Sequence, residues 1–283
     1  MHKKYAVLGM DIEDWYHLDY FDKEKCDQSE STLDGISIYL DILDTYNIKT
    51  TFFVVGELVE KLKGTLKQII NQGHEIALHS HSHRRPLTMS IEEYKQDTGK
   101  NIREIRDLLG YNAIGYRAPC FSMDRERLEI LEDLNLHYDA SHIKFSDHKL
   151  YGHLDLTGFT PVRNDILKRN DFFEFETSTL PLKNKNIPIS GGGYLRIFPW
   201  ILTKYLLNKY VKLNKNYFFY IHPFEFSKNY NIKTPSGTSF ATNLRFRLGR
   251  KSVEKKMHRL IQLLKERQYE FVRFEDLVNK QGA

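Results

Sequence analysis

A chain of 283 residues, 41% hydrophobic and 28% charged, is neither disordered nor collagen-like, and it is long enough for one large α/β domain. No apolar run approaches the roughly twenty residues that a membrane-spanning helix needs, and two cysteines, Cys26 and Cys120, are too few for a disulfide framework. The 42 basic against 37 acidic residues give a mild positive charge, which does not argue for nucleic acid but permits an anionic ligand.

The N-terminal stretch MHKKYAVLGMDIEDW has too short an apolar run and no small-residue cleavage site for a secretory signal, so a reducing, cytoplasmic setting is expected. Tyr5 to Met10 reads as a strand, and Leu33, Ile36, Leu40 and Leu43 fall three or four apart as on a helix face. Thr50 to Val55 is β-branched and aromatic, Glu57 to Asn71 has helical character, and His74 to His79 returns to a strand. Ser90 and Glu93 form a capping box for a helix whose apolar face runs from Ile91 to Leu109 and stops at Gly110. A strand at Ala113 to Tyr116, a helix from Asp124 to Asn135 and a helix opened by Pro199 follow. A strand at Tyr217 to Ile221, a helix from Ser252 to Arg267 and a strand at Glu270 to Phe274 complete the series. Serial strand and helix units imply a parallel sheet, open or closed. No fixed-period repeat or Gly/Ser-rich linker divides the chain, so residues 1–283 are expected to form one domain. From about Ser141 to Gly193 the pattern is irregular, consistent with an insertion around 141–198 of loops and extra strands on one face.

Asp11, Glu13 and Asp14 crowd the end of the first expected strand, where three carboxylates repel one another unless a cation or protons neutralise them. Taken in isolation, they are better explained as a solvated acidic loop. His79, His81 and His83 lie just beyond the third strand, and the spacing of His79 and His83 puts two imidazoles on one side of a turn while His81 points elsewhere. Two imidazoles and a carboxylate make a facial metal site with open positions, as in hydrolytic zinc centres.

With those motifs in place, the sequence resembles the polysaccharide deacetylase family, carbohydrate esterase family four, built on the NodB-homology domain. MDIED resembles its aspartate motif, and His79 and His83 with Pro86 displaced by one residue resemble its HxxxH motif. Gly115 to Pro119 (GYRAP) resembles its arginine motif, and His222 in FFYIHPFEF its final histidine. DIEDWYH, GYRAPCFS, GGGYLRIFP and YIHPFEF resemble the subgroup met in exopolysaccharide and surface-polysaccharide gene clusters. The resemblance implies an α/β fold, a distorted (β/α) barrel of about seven parallel strands. It implies a metal-dependent hydrolase that removes N-acetyl groups from an amino sugar, with zinc as the expected divalent metal and cobalt, nickel, manganese or iron as alternatives. Asp11 would be the general base, Arg117 would hold it ionised, and the Cys120 N–H would stabilise the oxyanion. His222 would be the general acid, charged through Asp139 and lying across the metal from Asp11. Ile12 stands where many members carry the metal aspartate, so either Glu13, on the strand face of Asp11, or Asp14, in the turn, must join His79 and His83; the shorter side chain of Asp14 suits a turn.

Trp15, Tyr16 and Tyr194 are candidates for stacking on sugar rings, although large aromatics more often serve the core. Cys120 reads as a packed thiol rather than a nucleophile, since no base adjoins it in sequence. The spacing of His142, His148 and His153 fits no metal motif. The basic run of Arg245, Arg247, Arg250, Lys251, Lys255 and Lys256 is accounted for by a solvated helix start. Its functional reading is a phosphate patch for a nucleotide- or lipid-linked N-acetylated sugar, or for peripheral contact with an anionic membrane face. A cyclic amide or ureide hydrolase of allantoinase type and a non-catalytic sugar-binding relative are the competing readings.

Overall fold

The computed structural model describes residues 3–145, 150–163, 165–183 and 185–282. Its centre is a curled, predominantly parallel sheet. In chain order, β1 (Lys4–Ile12), α1 (Gly35–Thr45), β2 (Thr51–Val54), α2 (Lys63–Asn71), β3 (Glu75–Leu78), α3 (Ile91–Leu109), β4 (Gly115–Tyr116), α4 (Arg125–Asp133) and β5 (Tyr138–Asp139) alternate regularly. Strands β6 (Thr160–Arg163), β7 (Ile166–Arg169), β8 (Phe172–Phe175), β9 (Thr179–Leu182) and β10 (Lys185–Pro188) follow without intervening α-helices. Then come α5 (Gly192–Ile197), α6 (Trp200–Val211), β11 (Tyr217–Ile221), α7 (Pro223–Phe226), α8 (Phe240–Arg247), α9 (Arg250–Glu266), β12 (Tyr269–Phe271) and α10 (Phe274–Gly282).

The strand order is β11-β1-β2-β3-β4-β5-β8-β7-β6, with β12 also on β1. The path from β11 to β8 is parallel throughout, and β7 and β6 extend it antiparallel. Among the described residues no ladder joins β8 to β11. Ser178 spans that gap, its N–H donating to Phe218 O at 3.2 Å and its Oγ accepting the Phe218 N–H at 2.9 Å. The barrel is therefore incompletely closed.

Strand alternation sorts the side chains. Ala6, Leu8, Met10 and Ile12 of β1 pack outward in the larger apolar cluster, with residues of the covering helices such as Ile36, Leu40 and Leu260. Tyr5 and Val7 face inward with Phe53, Tyr138, Phe173, Phe218 and Phe274. The same inward parity carries on to Gly9, Asp11 and Glu13, so the first two carboxylates of the acidic motif emerge at the end of the barrel interior.

Most elements follow the sequence expectations, including α3 with its Ser90–Glu93 capping box and the left-handed Gly110. The expected helix from Glu57 to Asn71 is instead a 3-10 turn at Gly56–Leu58 followed by α2. There the N–H groups of Gly56 and Glu57 donate to Ser80 O and His81 O at 3.0 and 2.8 Å, so tertiary bonds replace helical ones. The expected strand at Glu270 to Phe274 is β12, Tyr269–Phe271, and Phe274 opens α10, whose first turn is tied by Arg273 N–H to Asp276 at 2.9 Å. The irregular stretch contains β8, a parallel strand of the main sheet, beside the antiparallel strands β6, β7, β9 and β10.

Candidate metal centre and catalytic cleft

Four strand ends build the site. Asp11 lies at the end of β1 with Glu13 just beyond it, His79 follows β3 directly, Arg117 follows β4, and His222 follows β11. Ligand atoms of Glu13, His79 and His83 all lie within 4.8 Å of one another. Glu13 Oε2 touches His83 Nε2 and is 3.9 Å from His79 Nε2. This buried oxygen has no hydrogen bond of good geometry, an arrangement that suits three ligand atoms sharing a cation. His79 Nδ1 bonds Arg117 O at 2.8 Å, which fixes the ring and leaves Nε2 for the cluster.

Burial would raise the Glu13 carboxyl, but His83, His222 and His79 together hold it well below its usual range. His79 is lowered to about 4 by burial against the opposing pull of Asp11, so its imidazole is neutral and a competent ligand at neutral pH. His83 is raised, burial being outweighed by the Glu13 charge.

Asp11 Oδ1 accepts a 2.6 Å bond from Arg117 Nη1, and both side chains are buried. Arg117 also donates to Ala140 O at 3.2 Å, and its guanidinium lies 3.9 Å over the Phe53 ring. A Cβ at Gly9 would come within 3.3 Å of Arg117 Nη1, so glycine there leaves room for the guanidinium inside the barrel. His222 Nε2 is 3.6 Å from Glu13 Oε1 and 4.0 Å from Asp11 Oδ2. His222 and Asp11 thus adjoin, instead of standing apart on opposite sides of the centre.

Two expectations need correction. Asp14 does not join the histidines. Its Oδ1 accepts the N–H groups of Trp15 and Thr32 at 2.9 and 2.7 Å and the Thr32 hydroxyl at 2.8 Å, and its Oδ2 accepts from Ser31 Oγ at 2.6 Å. A carboxylate so used caps the 3-10 turn at Trp15–His17, so Glu13, on the inward face, is the one brought to the imidazoles. Asp139 does not reach His222. It is spent on Ser141, accepting the N–H at 3.1 Å and the hydroxyl at 2.7 Å, and it stands beside Glu174 on the neighbouring strand.

The carboxylate that serves His222 is Glu225, which the sequence reading missed. Its Oε2 is 3.5 Å from His222 Nδ1 and accepts the His222 N–H at 3.2 Å. His222 is raised to about 9, because Glu13 and Glu225 outweigh the opposing effect of burial. Glu225 is in turn 3.4 Å from the buried Nε of Arg196. Gly192 completes the arrangement, since a Cβ there would collide with Glu225 Oε2. The available signal was local: His222 and Glu225 form an N-cap and N3 pair at the start of α7. Asp97 was missed too. From α3 it accepts bonds from Ser80 Oγ, the His81 N–H and Ser82 Oγ at 2.8, 2.8 and 3.2 Å, pinning the loop between the two histidines.

The cleft over this centre is walled by Tyr20, Phe121, Tyr151, Tyr194 and Ile197, with Arg245 at its edge. Tyr194 therefore fronts the cleft, whereas Trp15 and Tyr16 are buried in a cluster with Phe224 and Phe246. The Cys120 thiol also lines it, donates to Asp19 Oδ2 at 2.8 Å and is pushed well up by burial, the state of an unreactive thiol. His81 turns to Glu104 at 2.9 Å. His142 lies 3.8 Å from Glu176, and His148 falls outside the described residues. Half of the basic run is structural: Arg247 and Arg250 donate to backbone carbonyls of residues 227–232, and Lys256 donates to Arg196 O and Phe198 O at 2.8 Å.

A curled (β/α) sheet thus carries at its strand ends a two-histidine, one-carboxylate cluster that could hold a metal ion, beside an arginine-clamped aspartate. Residues 31–138 match the family model for polysaccharide deacetylase, and residues 141–279 match a domain of unknown function, DUF3473. A peptidoglycan deacetylase of Helicobacter pylori is 30% identical over 107 residues, 38% of this chain and 36% of that protein. A peptidoglycan-N-acetylglucosamine deacetylase of Bacillus cereus is 36% identical over 80 residues, 28% of this chain and 29% of that protein. These matches span about a third of the relatives' length. Among solved structures, a polysaccharide deacetylase-type protein of Mycobacterium smegmatis superposes with a TM-score of 0.63 at 17% identity, over 98% of this chain and 90% of that one. An allantoinase superposes with a TM-score of 0.60 at 14% identity, over 97% and 89%. Both likenesses are of fold.

Proposed function

We propose that this protein is a metal-dependent deacetylase that removes the N-acetyl group from an amino sugar of a surface polysaccharide or glycoconjugate. The observation that carries the reading is the convergence of Glu13, His79 and His83 with the Asp11–Arg117 pair and His222 in one cleft. The relatives named as peptidoglycan deacetylases support it.

Glu13, His79 and His83 hold a divalent ion, taken to be zinc, whose role when bound is to polarise the amide carbonyl and acidify water. Asp11, oriented by Arg117, removes the proton from the attacking water as oxygen adds to the amide carbon. His222, whose charged form Glu225 favours, delivers a proton to the sugar nitrogen as the C–N bond breaks and acetate leaves. The N–H of Cys120, a residue at φ +53° in the cleft wall, is assigned to the oxyanion.

The substrate is taken to be nucleotide- or lipid-linked and cytoplasmic, with at most peripheral membrane contact, and among the described residues no helix is long and apolar enough to cross a bilayer. Acetate release from N-acetylchitopentaose and UDP-N-acetylglucosamine, with allantoin in parallel, tests the reading. Release that stops with EDTA and returns with zinc supports it; ring opening of allantoin without acetate release overturns it.

A further inference from the structure

The cleft holds one cation that the chemistry above leaves unused. Among the described residues lining it, Arg245 is the only lysine or arginine. Every other charge there has a partner: Asp19 meets Arg85 at 3.1 Å, Glu225 meets Arg196 at 3.4 Å, and Asp11 meets Arg117 at 2.6 Å. Among the described residues no carboxylate lies within ion-pair distance of the Arg245 guanidinium, although neighbouring Arg247 and Arg250 are engaged with backbone carbonyls.

Arg245 is nonetheless held in place. Its own carbonyl is gripped by the buried Arg196 at 2.6 Å, and its guanidinium lies 4.6 Å from the centre of the Tyr20 ring. Its charge also reaches Tyr194, where it counteracts the upward pull of burial on the phenol. A guanidinium set against the Tyr20 ring, in a cleft that Tyr194 also lines, combines an aromatic surface for a pyranose ring with a planar fork for an anion.

We propose that Tyr20, Tyr194 and Arg245 form a subsite for the negatively charged group, a carboxylate or a phosphate, of a saccharide unit next to the acetamido group being cleaved. The natural substrate is then an acidic saccharide. This rests on the deacetylase reading and narrows it to a substrate class.

The test measures acetate release by the metal-loaded protein from three probes: neutral N-acetylchitopentaose, UDP-N-acetylglucosamine carrying phosphate, and an N-acetylglucosamine–N-acetylmuramic acid disaccharide carrying a carboxylate. The expected result is a kcat/KM at least tenfold higher on one anionic probe than on the neutral one, and which anionic probe leads names the group. Arg245→Gln should cut that ratio at least tenfold through KM, and Arg245→Lys should recover part of it. Tyr194→Ala should lower kcat/KM on the preferred probe through KM. Acetate release that favours the neutral probe, or a ratio unmoved in Arg245→Gln, overturns the subsite while leaving the deacetylase reading intact. No acetate from any probe overturns both.

Discussion

At the residue scale, the three adjacent acidic side chains have three different tasks, set by where each points. Asp11 faces Arg117, Glu13 faces the imidazoles, and Asp14 caps a turn. Asp11→Asn should therefore abolish acetate release with zinc content nearly intact, whereas Glu13→Gln should empty the site. Asp14→Asn should lower the melting temperature without changing zinc stoichiometry. Elemental analysis of the three variants beside their unfolding curves checks this division, and loss of zinc in Asp14→Asn alone would reverse it. Glu225 acts through His222, so Glu225→Gln should reduce kcat by about 10- to 100-fold with zinc retained, the usual scale for a residue that orients and charges another. Steady-state kinetics on the zinc-loaded variant decide it.

At the element scale, the loop between His79 and His83 is tied to α3 by hydrogen bonds. Ser80 and His83 sit at φ +63° and +58°, a left-handed backbone that needs outside support. Asp97 supplies it through three bonds and Asn101 adds a 2.8 Å bond to Ser80 O. Asp97→Ala should cost about 1–3 kcal/mol of stability and weaken zinc binding, read by denaturant titration and by competition with a chelator. A normal zinc affinity would mean that the loop holds its shape without α3.

What could be read from the sequence divides along the same line. The strands that lead to Asp11, His79 and His222 announce themselves by apolar runs, and α3 by its capping box, so four anchors of the site were legible. The choice between Glu13 and Asp14 was not, because it depends on Thr32 and Ser31 arriving from elsewhere to claim Asp14. Nor was Asp139's commitment to Ser141, which left Glu225 to serve His222. Strand β8 hid because its buried Glu174 interrupts the apolar signature of a barrel strand.

At the scale of the whole molecule, the barrel interior carries carboxylates away from the metal centre. Glu75, at the start of β3, accepts from Tyr138 Oη at 2.7 Å, Thr51 Oγ1 at 2.6 Å and the Glu275 N–H at 3.1 Å, and burial raises it to about 7. Burial likewise raises Asp139 and Asp165 to about 6. A carboxyl whose folded value exceeds its unfolded value stabilises the fold fully below the unfolded value and loses that contribution as pH rises through the folded one. For Glu75 the window runs from 4.5 to about 7, and the contribution is on the order of 3 kcal/mol. The melting temperature should fall between pH 5 and pH 8, and Glu75→Gln should flatten that fall, since the Tyr138 hydroxyl can turn to accept from the amide. An unchanged pH slope in the variant would remove Glu75 as its source.

The position of β1 has a consequence for how the molecule comes into being. It pairs on one edge with β11 and on the other with β2 and, near its start, β12, so Met10 neighbours Ile221, and Lys4 neighbours Tyr269. During synthesis on the ribosome the first strand must wait, with one edge unsatisfied, until more than two hundred residues have been added. An incomplete chain therefore carries an open sheet edge and no His222 beside Asp11, exposed to misassembly and chaperones alike. The cleft therefore cannot form before β11 has been made, and a chain that stops short of His222 lacks one wall of the site.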